Sequence, residues 1–384
     1  MHFEIHFPRM PLWKGVGVRP VTPEFYPYGL GWNEQGYIYQ TTPKDVQQKV
    51  VESYSGDDYE FPSTPPGHSA WGDSRGDSAI EFIRSVFGSF SGAAVLDIGG
   101  GTTYMAEKLV ARDGVAEYTI MDPSVRGASP LPQIKILREY FTGRTCPEKD
   151  FDLIVSLNCL EHVSDPVDFL CSVSRLLKRK NGKAVLFFPN NENQLMNGDF
   201  NAVLHEHITY FTKEVVENFA AICGLNIIEA VTRADLFCCC FEWGEKDPHK
   251  VKDLNKVIIK SADAFVNSLD YFNNLITSFV ESDQKIAFHG ACNGLNNVLS
   301  FCDFRNNDFL ENITIFDGDE KKFGKYLPMC PNNPIVGSMY SKYKTMDQVI
   351  VSAMTFYDPI KKFLISQHGI KPERIHPLYP MKND

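Results

Sequence analysis

Val95-Leu96-Asp97-Ile98-Gly99-Gly100-Gly101-Thr102-Thr103 is the stretch on which the fold turns. Its apolar start reads as a buried strand, and Tyr104–Val110, directly after the glycines, carries helical text. A strand that breaks on three glycines and re-forms as a helix opens an α/β crossover unit. Glycine at such a turn lets backbone approach a ligand closely, and the helix N-terminus adds N–H donors and a partial positive field.

The same rhythm continues outward. A helix is expected near Ser78–Phe87, and strands at Ala94–Asp97, Tyr118–Asp122, Ile134–Leu137, Leu153–Leu157 and Ala184–Phe188, with helical text between them. That alternation implies a largely parallel, doubly wound Rossmann-like α/β sheet, to which Leu225–Thr232 and Leu236–Trp243 add an antiparallel edge hairpin. Leu254, Ile258, Phe265, Leu269, Phe272, Ile276 and Phe279 recur at helical spacing and predict one long linking helix over Val251–Glu281. Strand text at Ile286–His289, Ile313–Asp317 and Val349–Ser352 alternates with helical text at Leu295–Cys302 and Pro359–His368, giving a second, smaller α/β unit. Residues 1 to about 75 are rich in Pro, Gly and Tyr and read as an irregular cap with short strands such as Gly36–Tyr39. The expected divisions are therefore 1–75 (cap), 76–245 (main domain), 246–282 (linking helix) and 283–384 (C-terminal domain).

Composition narrows the function. The 384 residues are too many for one ordinary domain, and the 43% apolar content suits a globular chain. A net charge of −10 argues against a broad phosphate-binding face, so nucleic acid is not an expected partner. The start shows no signal peptide and no apolar run long enough to span a bilayer, so no membrane role is expected. Ten cysteines, many inside apolar text, suit reduced thiols and a cytoplasmic location.

The glycine turn admits two ligands. A dinucleotide fingerprint wants Gly-x-Gly-x-x-Gly, which fails after Gly101, whereas Asp97 just before the first glycine suits the cationic methionine end of S-adenosylmethionine. Asp122 closes the second strand about 25 residues on, where a carboxylate can accept both ribose hydroxyls or merely cap a turn. Together with Phe151-Asp152-Leu153-Ile154-Val155-Ser156-Leu157-Asn158-Cys159-Leu160-Glu161-His162-Val163, Leu176-Leu177-Lys178 and Gly182–Leu186, this text resembles the class I S-adenosylmethionine-dependent methyltransferases over roughly residues 78–235. The resemblance implies cofactor contacts at Asp97, Gly99, Gly101 and Asp122, with Glu139 or Tyr140 flanking adenine. Thr103 replaces the family's usual last glycine. Asn158 can bond cofactor or substrate, or cap the next helix, and His162 can form a shelf over the cofactor or serve as a base.

Leu204-His205-Glu206-His207-Ile208-Thr209-Tyr210-Phe211 follows the fifth strand and would face the crevice at the sheet's carboxyl edge. His207, assisted by Glu206, can accept a proton near neutral pH; alternatively His205 and His207 hold a metal, or both bond backbone in a turn. With Ile286–Gly294 and Asp317–Pro328, this string is similar to the deoxysugar C-methyltransferase family. That resemblance implies a nucleotide-linked keto sugar as small-molecule substrate, with His207 removing the proton beside the ketone and the enolate taking the methyl. It also points to Tyr59 as a cap residue reaching the sugar, although a packed loop aromatic fits as well.

Departures from the family are plain. No cysteine precedes Cys146, so the family's N-terminal zinc module is absent and no metal is expected; Leu204 stands where the family has tyrosine; and Leu236-Phe237-Cys238-Cys239-Cys240 replaces a Gly-Gly-Ser text. The Gly290–Gly294 turn reads either as a tight strand-to-helix connection or as a docking surface for the substrate's nucleotide or a second subunit. Besides carbon methylation, an O-methyltransferase of a sugar or small metabolite and a non-catalytic methyltransferase-like module both remain open.

Overall fold

The computed structural model describes residues 4–53, 65–129, 131–233, 235–302, 312–339 and 341–381. The N-terminal segment is more regular than expected. β1 (Ile5–Pro11), β2 (Phe25–Trp32) and β3 (Ile38–Gln40) pair antiparallel in that order, and α1 (Lys44–Ser53) follows. The alternation is hidden in sequence because Pro8, Pro11 and Pro27 interrupt it, while Ile5, Phe7, Met10, Tyr28, Leu30 and Ile38 all face inward. α2 (Ala70–Phe87) starts two turns before the expected Ser78: Ser69 caps it by accepting from the Gly72 amide at 3.0 Å. Gly76, a weak helix former, serves there for packing, since a Cβ would lie 3.0 Å from the Tyr104 ring.

The main sheet contains β4 (Ala94–Ile98), β5 (Glu117–Met121), β6 (Ile134–Leu137), β7 (Leu153–Leu157) and β8 (Lys183–Pro189), all parallel, with α3 (Tyr104–Asp113), α4 (Pro166–Lys180) and α5 (Glu192–Asn197) between or after them. The next strand, β9 (Thr209–Tyr210), leaves this unit and pairs with β3, completing the cap sheet in the order β1-β2-β3-β9. After α6 (Lys213–Cys223), the hairpin β10 (Leu225–Arg233) and β11 (Leu236–Trp243) joins the main sheet, ordered β10-β11-β8-β7-β4-β5-β6. β11 alone runs against the direction of the other six strands. The connections reverse direction between β4 and β7, so their carboxyl ends flank a crevice.

Side chains on these strands alternate between two cores. Val95, Leu153, Val155, Val185 and Phe187 face α2 and α3, while Leu96, Ile154, Leu186 and Phe188 face the cap and α4. The second core does not end with the sheet. α7 (Asn255–Glu281) carries it into a five-stranded parallel sheet ordered β16-β13-β12-β17-β18, made of β12 (Ile286–His289), β13 (Ile313–Asp317), β16 (Val336–Gly337), β17 (Gln348–Val351) and β18 (Ile375–Pro377). A small pair, β14 (Tyr326–Leu327) and β15 (Cys330–Pro334), and helices α8 (Asn293–Phe301) and α9 (Tyr357–His368) complete it.

Phe7 of the cap, Phe200 after α5, Phe265 of the linking helix and Phe301 of α8 interlock, with ring centroids 5.0–5.7 Å apart. This knot ties all parts of the chain to the segment that precedes His205. All ten cysteines are free, and Cys238, Cys239 and Cys240 are buried in β11. Among the described residues no helix is long and apolar enough to cross a membrane.

Candidate active site

β4 carries Asp97 into the crevice floor at 2% exposure. The Tyr118 hydroxyl donates to its Oδ2 at 2.8 Å, while Oδ1 has no partner. Burial raises the carboxyl to about 7 against the Tyr118 bond, and the charge of Asp122 adds to the rise. The turn that follows needs its glycines for two different reasons. Gly99 (φ +73°) leaves room for Cys159, whose Sγ would lie 2.4 Å from a Cβ, whereas a Cβ on Gly101 (φ +62°) would meet nothing within 4 Å. The turn is therefore closed on the Cys159 side and open above Gly101. Asp122 Oδ2 accepts from the Gly101 amide at 2.9 Å, and its Oδ1 accepts from the Ser124 amide and hydroxyl, both at 2.6 Å.

From β7 the chain enters Asn158 with φ +52°, a conformation asparagine tolerates better than most residues. Arg75 donates to Asn158 Oδ1 at 2.9 Å, and Asn158 Nδ2 donates to Glu161 Oε1 at 3.1 Å. Glu161 is 1% exposed, and its Oε2 has no partner. Next to it, His162 places Nδ1 2.9 Å from the Glu206 carbonyl oxygen and Nε2 3.8 Å from Glu161 Oε1. The His207 ring stands edge-on to His162, with centroids 5.1 Å apart. Its buried Nδ1 is unpartnered, and burial together with the neighbouring imidazole pushes the ring well below the ordinary histidine range. His207 is consequently neutral at pH 7, a state able to accept a proton.

The alternative reading of His205 and His207 as a metal pair does not fit the geometry. Leu204–His207 is a tight turn, closed by the His207 amide on the Leu204 carbonyl at 3.1 Å, and it throws the two rings apart. His205 packs edge-on against Tyr28 at 5.2 Å and Tyr26 at 6.3 Å in the cap, where burial lowers it to about 4. Gln40 of β3 fixes the turn, its Nε2 donating to the carbonyls of Leu204, His205 and His207 at 3.0–3.1 Å. Glu206 is buried and lends its backbone carbonyl to His162. Glu161, His162 and His207 instead bring ligand-capable atoms within 4.8 Å of one another, the one such group among the described residues. Two imidazoles and a carboxylate can relay a proton or hold a divalent cation.

Asp97, Gly99, Gly101, Asp122, Asn158, His162 and His207 thus gather around the carboxyl ends of β4, β5 and β7. Glu139 and Tyr140 stand exposed on the loop beyond β6, Tyr140 at 65%. Tyr59 lies outside the described residues. Sequence reasoning missed Glu161, Arg75 and Gln40; only Glu161 had a signal, its position beside His162 in a strand-end string.

Residues 75–230 match a family profile described as a methyltransferase domain. No curated protein matches the sequence. Similar solved structures include the N-methyltransferase NodS from Bradyrhizobium japonicum bound to S-adenosyl-L-homocysteine (15% identity, 52% of this chain and 99% of that one, TM-score 0.36). An S-adenosylmethionine-dependent methyltransferase from Mesorhizobium loti aligns at 13% identity over 41% of this chain and 94% of its own, with a TM-score of 0.31. CalO1, a methyltransferase in calicheamicin biosynthesis, aligns at 18% identity over 52% of this chain and 68% of its own, with a TM-score of 0.34. The strand order and the open glycine turn over a buried acid agree with the profile match: residues 75–230 form a methyltransferase domain.

Proposed function

We propose that the enzyme transfers the methyl group to a carbon beside the ketone of a nucleotide-linked keto sugar, with His207 as the base. The observation that carries this reading is the His207 ring, neutral, half-buried and held by a turn that Gln40 clamps, beside His162 at the crevice. A ketone acidifies the adjacent carbon enough for a neutral imidazole to remove its proton in a dry cleft. The likeness of the His205–Phe211 string and of the C-terminal text to deoxysugar C-methyltransferases supports the substrate class.

The residues present fit S-adenosylmethionine. The orphaned Oδ1 of Asp97 is a buried acceptor awaiting a cationic donor, and the space above Gly101 admits a ligand against bare backbone. Asp97 would hold the methionine amino group, and Asp122 would exchange its Ser124 contacts for ribose hydroxyls. Asn158 and His162 would shelve the cofactor from the β7 side. The sulfonium supplies an electrophilic methyl group; the protein supplies the proton acceptor and the alignment.

A second reading has its own support. His162, fixed through Nδ1 with Nε2 toward Glu161, forms a dyad suited to deprotonating a hydroxyl, which would make the enzyme an O-methyltransferase. Incubation with carbon-13-methyl cofactor and a panel of keto and reduced nucleotide sugars, read by carbon NMR, separates the two. Label on carbon, with proton exchange at that carbon in deuterated water, is the expected result. Label on oxygen without exchange would establish the alternative.

A further inference from the structure

Cys171 of α4 and Cys223, the last residue of α6, approach to 3.0 Å between their Sγ atoms. Cys223 is 1% exposed, while Cys171 is half-buried and within reach of a small solute. Lys246 places its ammonium 3.8 Å from Cys171 Sγ, and Cys223 Sγ also lies 3.6 Å from the Val167 carbonyl. The pair has no part in the methyl-transfer site, where Cys159 is the cysteine in contact with the glycine turn.

We propose that Cys171 and Cys223 form a peroxide-sensitive dithiol that closes to a disulfide between α4 and α6. Cys171 is the attacking sulfur: the hydrogen bond from Cys223 and the nearby charges of Lys246 and Arg175 hold its thiol below the usual range, against burial. The contrast within the chain is selective, because burial raises Cys159, Cys238, Cys239, Cys240, Cys292, Cys302 and Cys330.

The chemistry balances with hydrogen peroxide as oxidant. The Cys171 thiolate attacks one peroxide oxygen, an S–O bond forms as the O–O bond breaks, and the departing hydroxide leaves as water, giving a sulfenic acid. Cys223 then gives up its proton, its sulfur attacks Cys171, and the sulfenic oxygen departs as a second water. Two thiols lose two electrons and the peroxide gains them. The new bond closes a loop from residue 171 to residue 223 that contains β8, the His205–His207 turn and β9. Closing so long a loop restricts the unfolded chain, so the oxidised protein should melt higher than the reduced one.

The test is peptide mapping of the full chain after one equivalent of peroxide and alkylation of remaining thiols. The expected product is a Cys171–Cys223 cross-linked peptide, two hydrogens lighter than the thiols and cleaved by dithiothreitol, with the other eight cysteines alkylated. In Cys223→Ser, dimedone should trap Cys171 as a sulfenic acid. Peroxide that oxidises a different cysteine first, or that oxidises Cys171 while Cys223 stays alkylatable, would overturn the proposal; the wild-type map decides even if a variant fails to fold.

Discussion

The chain turns from strand to helix on glycine twice, with the same wiring and opposite outcomes. At the first turn Asp122, from the end of the neighbouring parallel strand, accepts from the Gly101 amide at 2.9 Å; at the second, Asp317 accepts from the Ala291 amide at 2.8 Å. The first turn stays open above Gly101. The second is filled. A Cβ on Gly290 would lie 2.8 Å from the Ala353 amide nitrogen, Asn201 Oδ1 accepts from the Gly294 amide at 2.8 Å, and Lys322 neutralises Asp317 at 3.0 Å. Asn293 and Asn297 then reach out to the Phe200 and Val203 carbonyls at 2.8–3.3 Å. The segment 199–203 therefore occupies the place a ligand would take on the second turn, which leaves the tight-connection reading of Gly290–Gly294 as the one that fits. An acid and a glycine turn make a cradle only where the rest of the chain stays out. The second unit instead grips the segment leading to His205.

Experiments can break this comparison at several strengths. His207→Ala, on the open side, should lower kcat by about 10²–10⁴-fold, the usual contribution of a positioned base. The wild-type acid limb should lie below the ordinary histidine value of 6.5, since His207 titrates low. Next in size, Phe200→Ala removes the ring at the centre of the aromatic knot and should cost about 3–5 kcal/mol in denaturant unfolding. Asn297→Ala removes one of the two amide donors on each of the Phe200 and Val203 carbonyls, which Asn293 still bonds, and should cost about 0.5–1.5 kcal/mol; if its role is positional, kcat should fall while cofactor affinity holds. Unchanged kcat in this variant would mean that the C-terminal unit does not steer the catalytic turn.

A pH effect on stability bears on both units. His205 and His289 titrate at about 4 in the fold against 6.5 when exposed, so the unfolded chain binds more protons between those values. Stability should be full above pH 6.5 and decline as pH falls toward 4, readable as a falling melting temperature. Finally, chelation should leave turnover unchanged if Glu161, His162 and His207 relay protons. Loss of activity restored by a divalent cation would make them metal ligands instead.

How much of this was legible in sequence follows from locality. β6, β7, β12 and β13 match their expected bounds residue for residue, because each is an apolar β-prone run ended by a polar or glycine signal. β16 and β18 were missed, being two- and three-residue strands, one ending in proline. The cap sheet was missed because its fourth strand comes from residues 209–210, far along the chain. Within the site, Asp97 and the glycines were visible as a motif, and His207 as part of a string. Gln40 and Arg75 were not, since each matters only through a partner distant in sequence.

The most direct test titrates S-adenosylhomocysteine into wild-type protein, Asp97→Asn and Asp317→Asn by calorimetry at pH 8. Asp97 holds its proton up to about 7 rather than 3.8, so its ionisation destabilises the ligand-free fold as pH rises through 7. A ligand ammonium would reverse that, and Asp97→Asn should weaken binding by about 10–100-fold, the worth of a hydrogen bond to a charged group. Asp317→Asn should bind as wild type does. Equal affinity for wild type and Asp97→Asn, or loss of binding in Asp317→Asn, would contradict the assignment of the first turn as the cofactor cradle and the second as a filled structural joint.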